Sequence, residues 1–211
     1  MFTVNDVVSA VESDLMSGVL ACPRCAGRLR PWGWARPRTI RSHGVGQEQQ
    51  LVRHHPRRAR CTGCLATHVL LPVALAARRA DSAVVIAAAI EAKAIEGVGH
   101  RVIAVRLGRP ASTVRGWLRS FASCAEQITE AFASRTVRDA PDAAHIWPAP
   151  VSGPAGALSA LMAYAQGLGR RFGAVVTVAW VQAGIAACNG WLFSRSWWAG
   201  SFNTNTPLPG G

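Results

Sequence analysis

Four of the six cysteines stand in two Cys-x-x-Cys pairs, Cys22-Pro-Arg-Cys25 and Cys61-Thr-Gly-Cys64. Two residues between thiols let a tight turn aim both sulfurs at one point. A second such turn completes a tetrahedral four-thiolate shell, the preferred geometry of structural zinc. Pro23 and Gly63 suit the turns, and Gly27 suits the reversal after the first pair. The pairs are therefore expected to bind one structural Zn²⁺, with no open position at which water could be activated. His54, His55 and His68 lie close in sequence, and any of them could replace a cysteine. The commoner reading of each is a polar surface histidine. Cys124 and Cys188 stand alone and read as small buried apolar residues.

The second set of residues with chemical promise lies in "GHRVIAVRLGRPASTVRGWLR", residues 99–119. Ile103, Ala104 and Leu107 mark the inner face of one short helix. Val114, Trp117, Leu118 and Phe121 mark that of a longer one, expected from Ser112 to Ala133 with Ser112 or Thr113 as its cap. Gly108-Arg109-Pro110 breaks the two, with Gly108 placed for a left-handed helix end. A helix over 82–96, capped by Asp81 or Ser82, completes a three-helix unit. This is the pattern of a helix-turn-helix. The outer face of the second helix then carries Ser112, Thr113, Arg115, Gly116 and Arg119. Arg115 and Arg119, one turn apart, are suited to bidentate reading of guanine. Arg101 and Arg109 are placed for phosphates, and Arg106 for solvent. Gly116 is costly inside a helix, which a close approach to a DNA backbone would explain.

Charge supports a polyanionic partner. The 211 residues carry a formal net charge of +12, and Lys93 is the sole lysine. The arginine-for-lysine bias matches a GC-rich genome, but the shortage of acids needs a further cause. Between residues 22 and 60 every acid but Glu48 is missing while arginines recur, among them Arg57 and Arg58, which are expected to grip phosphates. Double-stranded DNA is the expected partner.

These elements imply a mainly α chain with a small β zinc ribbon, a helix-turn-helix DNA-binding unit and a helical C-terminal region. The expected order is an N-terminal helix (1–18, with Asn5 a possible cap), the ribbon (19–72), the helix-turn-helix domain (73–135), a Pro-rich linker (136–156), an apolar helical region (157–200) and a disordered tail (201–211). Some fifty residues of ribbon contain few large apolar side chains, so metal must supply much of their stability.

No catalytic constellation is visible. The acids are scattered, Tyr164 is the sole tyrosine, and neither a P-loop nor a dinucleotide fingerprint occurs. The expectation is a non-enzyme. The uncharged run 172–193, "FGAVVTVAWVQAGIAACNGWLF", is long enough to span a bilayer. It raises a rival reading, a membrane-anchored DNA-binding regulator. Gln182, Asn189 and the many Ala and Gly residues favour a buried helical pair instead, docked on the three-helix unit or forming a homodimer. With no basic, apolar leader at the N-terminus, a cytoplasmic, nucleoid-associated protein is expected.

"CPRC", "RPWGWARPR" and "RRARCTGCLATHVLLP", followed by the 99–119 stretch, together resemble an uncharacterised family from high-GC bacteria. Its members join a four-cysteine ribbon to a transposase-type helix-turn-helix and are often encoded beside transposases or integrases. The resemblance covers about residues 20–125. It implies an accessory role in transposition or a transcriptional regulator derived from one, with a transposase or integrase as possible partner. It carries over Cys22, Cys25, Cys61 and Cys64 as zinc ligands and the 112–119 helix as DNA reader, and it implies no catalytic residue.

Overall fold

The structure is a computed structural model that describes residues 1–43, 49–142, 151–173 and 178–200. About half of the chain is helical, joined to a small mixed sheet. The N-terminal part contains β1 (Phe2–Val4), α1 (Val8–Ser17), β2 (Leu29–Trp34), β3 (Arg38–His43), β4 (Gln49–His54), β5 (Arg57–Cys61) and β6 (Thr67–Pro72). Four strands form one sheet in the order β1-β6-β5-β2, and β3 and β4 pair as a separate antiparallel sheet. β1 was not foreseen: residues 2–4 lie parallel to β6, with Phe2 opposite Leu70. The expected helix therefore starts only at Val8. Asn5 Oδ1 accepts from the Val7 N–H ahead of it, and Gly18 ends it at φ 75°.

α1 is amphipathic and lays Val11 and Leu15 onto Leu29, Ala59 and Leu70 of the sheet. Cys22 and Cys61 complete this small core. Few large apolar groups take part, so hydrophobic burial here is modest.

The rest is helical: α2 (Ala83–Ala94), α3 (His100–Leu107), α4 (Ala111–Ala122), α5 (Ala125–Asp139), α6 (Gly153–Arg171), α7 (Trp180–Ala187) and α8 (Arg195–Gly200). α2 is apolar nearly all round and lies in the middle of one large core. Val85, Ile86 and Ile90 there meet Ile103 of α3, Trp117 and Phe121 of α4, Phe132 of α5, Leu161 of α6 and Ile185 of α7. Gly108 ends α3 at φ 60°, as its position between the two helices anticipates.

Several expectations need correction. The helix expected over Ser112–Ala133 is two helices, because the chain turns at Ser123 and Cys124 and the Ser123 hydroxyl donates to the Ser120 carbonyl. Pro110, not Ser112 or Thr113, precedes the first turn of α4, and neither hydroxyl caps it. The expected linker is shortened from both sides, since α5 reaches Asp139 and α6 starts at Gly153. Residues 172–193 are not one helix. Phe172 ends α6, and α7 stops before a turn in which Gly190 has φ 85°. Trp180, Val181 and Ile185 are buried in the helical core. Among the described residues no helix is long and apolar enough to cross a membrane. The tail 201–211 lies outside the described residues.

Ribbon and helices are tied by a buried carboxylate. Asp81, just ahead of α2, accepts from Arg41 of β3 (2.9 Å) and from Arg109 in the α3–α4 turn (2.6 Å). The Asp81 and Arg109 side chains are 4% and 1% exposed. Arg109 also donates to Gln49 Oε1 of β4 and to the Leu107 and Gly108 carbonyls. Removing the carboxylate strands the buried Arg109 without solvent, whereas Arg41 is 36% exposed. Asp81→Asn should therefore lower the unfolding free energy by about 3 kcal/mol, read from the shift of the denaturant midpoint. An unchanged midpoint would show that the pair contributes nothing net.

Candidate metal centre and nucleic-acid interface

The two Cys-x-x-Cys turns have the same local build. After each second cysteine the chain enters the left-handed region, at Ala26 (φ 57°) and Leu65 (φ 59°). In each, the first cysteine's N–H bonds to a carbonyl five residues on: Cys22 to Gly27 (2.7 Å) and Cys61 to Ala66 (2.9 Å). In each, the N–H two residues after the first cysteine points at its sulfur, Arg24 to Cys22 (3.4 Å) and Gly63 to Cys61 (3.3 Å). Pairing of Leu29 with Cys61 holds β2 against β5 and brings the two turns together.

The four sulfurs consequently lie within 4.8 Å of one another. Two of the approaches run between turns, Cys25–Cys61 at 3.4 Å and Cys22–Cys64 at 3.7 Å. Tetrahedral Zn–S bonds of ~2.3 Å require sulfurs roughly 3.8 Å apart, whereas a disulfide requires about 2.05 Å. All six cysteines are free. Four thiols this close together, with two of the separations near the tetrahedral edge, could hold one metal ion such as zinc. Gly27 lies close against the sulfurs: a Cβ there would sit 3.0 Å from Cys61 Sγ and 3.3 Å from Cys25 Sγ, so the sulfurs would have to give by a few tenths of an ångström.

The electrostatics favour thiolate. The Cys61 thiol is lowered to about 6, chiefly by the Cys64 N–H that donates to it, with Gly63 N–H and the Cys25 and Cys64 thiols acting the same way against the opposing effect of burial. His68 is buried, and its Nε2 lies 3.3 Å from Cys22 Sγ. It is neither a surface histidine nor a member of the four-sulfur group. It supports a ligand from behind, the role outer-shell partners play at metal sites. The lone Cys188 is fully enclosed, and burial pushes its thiol up to about 12, as an inert core residue requires.

The expected DNA-contacting residues separate into two groups. On α4, Ser112, Arg115, Gly116 and Arg119 are exposed and Thr113 is half-exposed, while Val114, Trp117 and Phe121 are buried. Arg101 of α3 borders the same shallow concavity as Ser112, Arg115, Gly116 and Arg119. Among the described residues, no hydrogen bond or ion pair engages the guanidinium groups of Arg101, Arg115 or Arg119, whereas Arg106 is paired with Glu96 at 2.6 Å. No chain atom lies within 4 Å of where a Gly116 Cβ would stand, so packing does not account for this glycine.

Arg109 and Arg57 depart from expectation. Arg109 is buried on Asp81 and cannot reach a phosphate. Arg57 is held by Glu12 of α1 (2.6 Å) and by the Gly33 carbonyl (2.8 Å), and it lies over the Trp34 ring. Arg58, next to it, is half-exposed on β5 and unpaired among the described residues. Alternation along a strand is the signal that separates the two.

Comparison with protein-family models, with curated proteins and with solved structures gives no match.

Metal binding here should be sensitive to both the donors and their spacing. In the Cys61→Ser variant, bound zinc should fall from one per chain to well below one, and the sheet should unfold. Gly27→Ala keeps all four donors, yet should release zinc to a competing chelator more readily than the parent. Equal retention would mean that the crowding at Gly27 is unimportant. The ligands bind deprotonated, so protons compete with the metal and occupancy at limiting zinc should decline as pH falls.

Proposed function

We propose that this chain is a DNA-binding protein in which α2, α3 and α4 act as a helix-turn-helix unit and α4 enters the major groove. The ribbon is held by one structural Zn²⁺. The observation that carries this reading is the outer face of α4: Arg115 and Arg119 stand unpaired either side of Gly116, with Arg101 alongside. No acidic residue occurs between Glu96 and Glu126 to neutralise them. Unpaired arginines one turn apart, on a helix whose opposite face is buried through Val114, Trp117 and Phe121, suit guanine edges. Arg101 and Arg58 would meet phosphates, and Gly116 would let the helix backbone come close to the groove wall.

In this reading the protein supplies recognition rather than chemistry. It would serve as an accessory factor in transposition or as a transcriptional regulator on the nucleoid, alone, as a homodimer or with a transposase or integrase. The family resemblance of residues 20–125 supports that setting.

Selection of bound duplexes from a random pool should return a preferred site, and affinity should fall steeply with salt. Arg115→Ala should relax the preference at one base pair, by about 1–3 kcal/mol. Arg101→Ala should weaken all duplexes alike and reduce the salt slope by about one. If both variants lose affinity equally on every sequence, Arg115 does not read bases. Gly116→Ala should have opposed effects. The exposed site favours alanine by roughly 1 kcal/mol in thermal stability, while affinity for the selected site should drop. A variant gaining stability with full affinity would contradict the close approach.

A further inference from the structure

The ribbon sheet has a second basic surface, which neither the sulfur cluster nor α4 uses. Along β2 and β5, Leu29, Ala59 and Cys61 are fully buried and face α1. Arg30 lies opposite Arg60 on the other face, with Arg58 two residues before Arg60 and so on the same side. Trp32 is 50% exposed, and the Arg60 guanidinium sits 4.5 Å from its ring centroid.

A register irregularity keeps Trp32 apart from Trp34. Two residues, Trp32 and Gly33, bulge between the Pro31–Ala59 and Trp34–Arg57 pairs, and Gly33 adopts φ 89°. The bulge returns Trp34 to the α1 side. There it stacks with Arg57 and packs 5.1 Å from His55. Trp34, 48% exposed, thus has a second ring and the Glu12-paired Arg57 beside it. Trp32 is half-exposed, with the Arg60 cation on one side and, among the described residues, no second ring against it.

β2, β5 and β6 contain no acidic residue. Arg30 and Arg58 make no hydrogen bond or ion pair among the described residues. A half-exposed indole backed by a guanidinium and flanked by unpaired arginines is poorly suited to a protein core. It suits a flat, electron-rich ring attached to a polyanion. Bases in a duplex are already stacked and present only their edges, so a base that can lie on Trp32 must be unpaired.

We propose that this face binds an unpaired nucleic-acid strand, with one base stacked on Trp32 and the adjoining phosphates held by Arg30, Arg58 and Arg60. The site differs in place and in ligand from the duplex-reading face of α4. Single-strand binding here does not require duplex reading there.

The test uses the full-length, zinc-loaded chain and fluorescence anisotropy with three labelled probes at one salt concentration. They are an oligothymidylate, an abasic strand of equal length and charge, and a duplex. Wild-type protein should bind the oligothymidylate more tightly than the abasic strand. Trp32→Ala should weaken the oligothymidylate about tenfold, within the range for loss of one stacked base. It should leave the abasic strand and the duplex unchanged, and Trp32→Phe should restore most of the loss. Arg115→Ala combined with Arg119→Ala should spare the oligothymidylate. Equal wild-type affinity for the thymidylate and abasic strands would overturn the proposal, and that comparison needs no variant to fold. Unchanged oligothymidylate binding by zinc-loaded Trp32→Ala would also overturn it, as would a proportionate loss on all three probes.

Discussion

The ribbon depends on four sulfurs being brought to one point. Its own core holds Val11, Leu15, Leu29, Ala59 and Leu70, and is closed by two of the cysteines themselves. Phe2, Val4 and Leu20 pack around it and Ile40 and Leu71 are buried in a second small cluster, a modest core for some fifty residues. A shared ion would cross-link two turns far apart in sequence and remove the repulsion that four converging thiolates would feel. Local features of the ribbon gather at that point: the left-handed residues after each second cysteine, the glycine packed close against two sulfurs, and the histidine beside Cys22.

From the ribbon the constraint passes into the helices. β6 pairs with β1, and Leu71 packs so close to Gly190 that a Cβ there would sit 2.7 Å from it. Asp81 bridges β3 and the α3–α4 turn, so the hairpin and α4 are held by one carboxylate. A change in the ribbon would thereby reach the helix proposed to read DNA without touching it. The two proposed nucleic-acid faces draw on different chemistry, edge reading by arginine on α4 and stacking by Trp32 on the sheet.

The parts readable from sequence are those set by neighbours along the chain. The Cys-x-x-Cys turns, the Gly108 break and the inner faces of α3 and α4 follow from spacing alone. What could not be read depends on partners brought from afar. β1 is three residues whose strand state exists only because β6 lies beside it. Arg109 looks like a turn arginine until Asp81 and Gln49 arrive to bury it. Arg57 and Arg58 are adjacent and identical, and only strand alternation sends one to Glu12 and the other towards solvent. His68 had one available signal, its place on the strand after the second cysteine turn, on the same side as the buried Leu70. The 172–193 run has the hydropathy of a span, but a turn after α7 folds it back into the core.

The central claim is that one ion is bound by Cys22, Cys25, Cys61 and Cys64 alone. X-ray absorption at the zinc edge on the purified, zinc-loaded chain tests it most directly. The account predicts a first shell of four sulfurs at about 2.3 Å and no light scatterer. A nitrogen in that shell, from His68 or another histidine, or a chain that takes up no zinc, would contradict it.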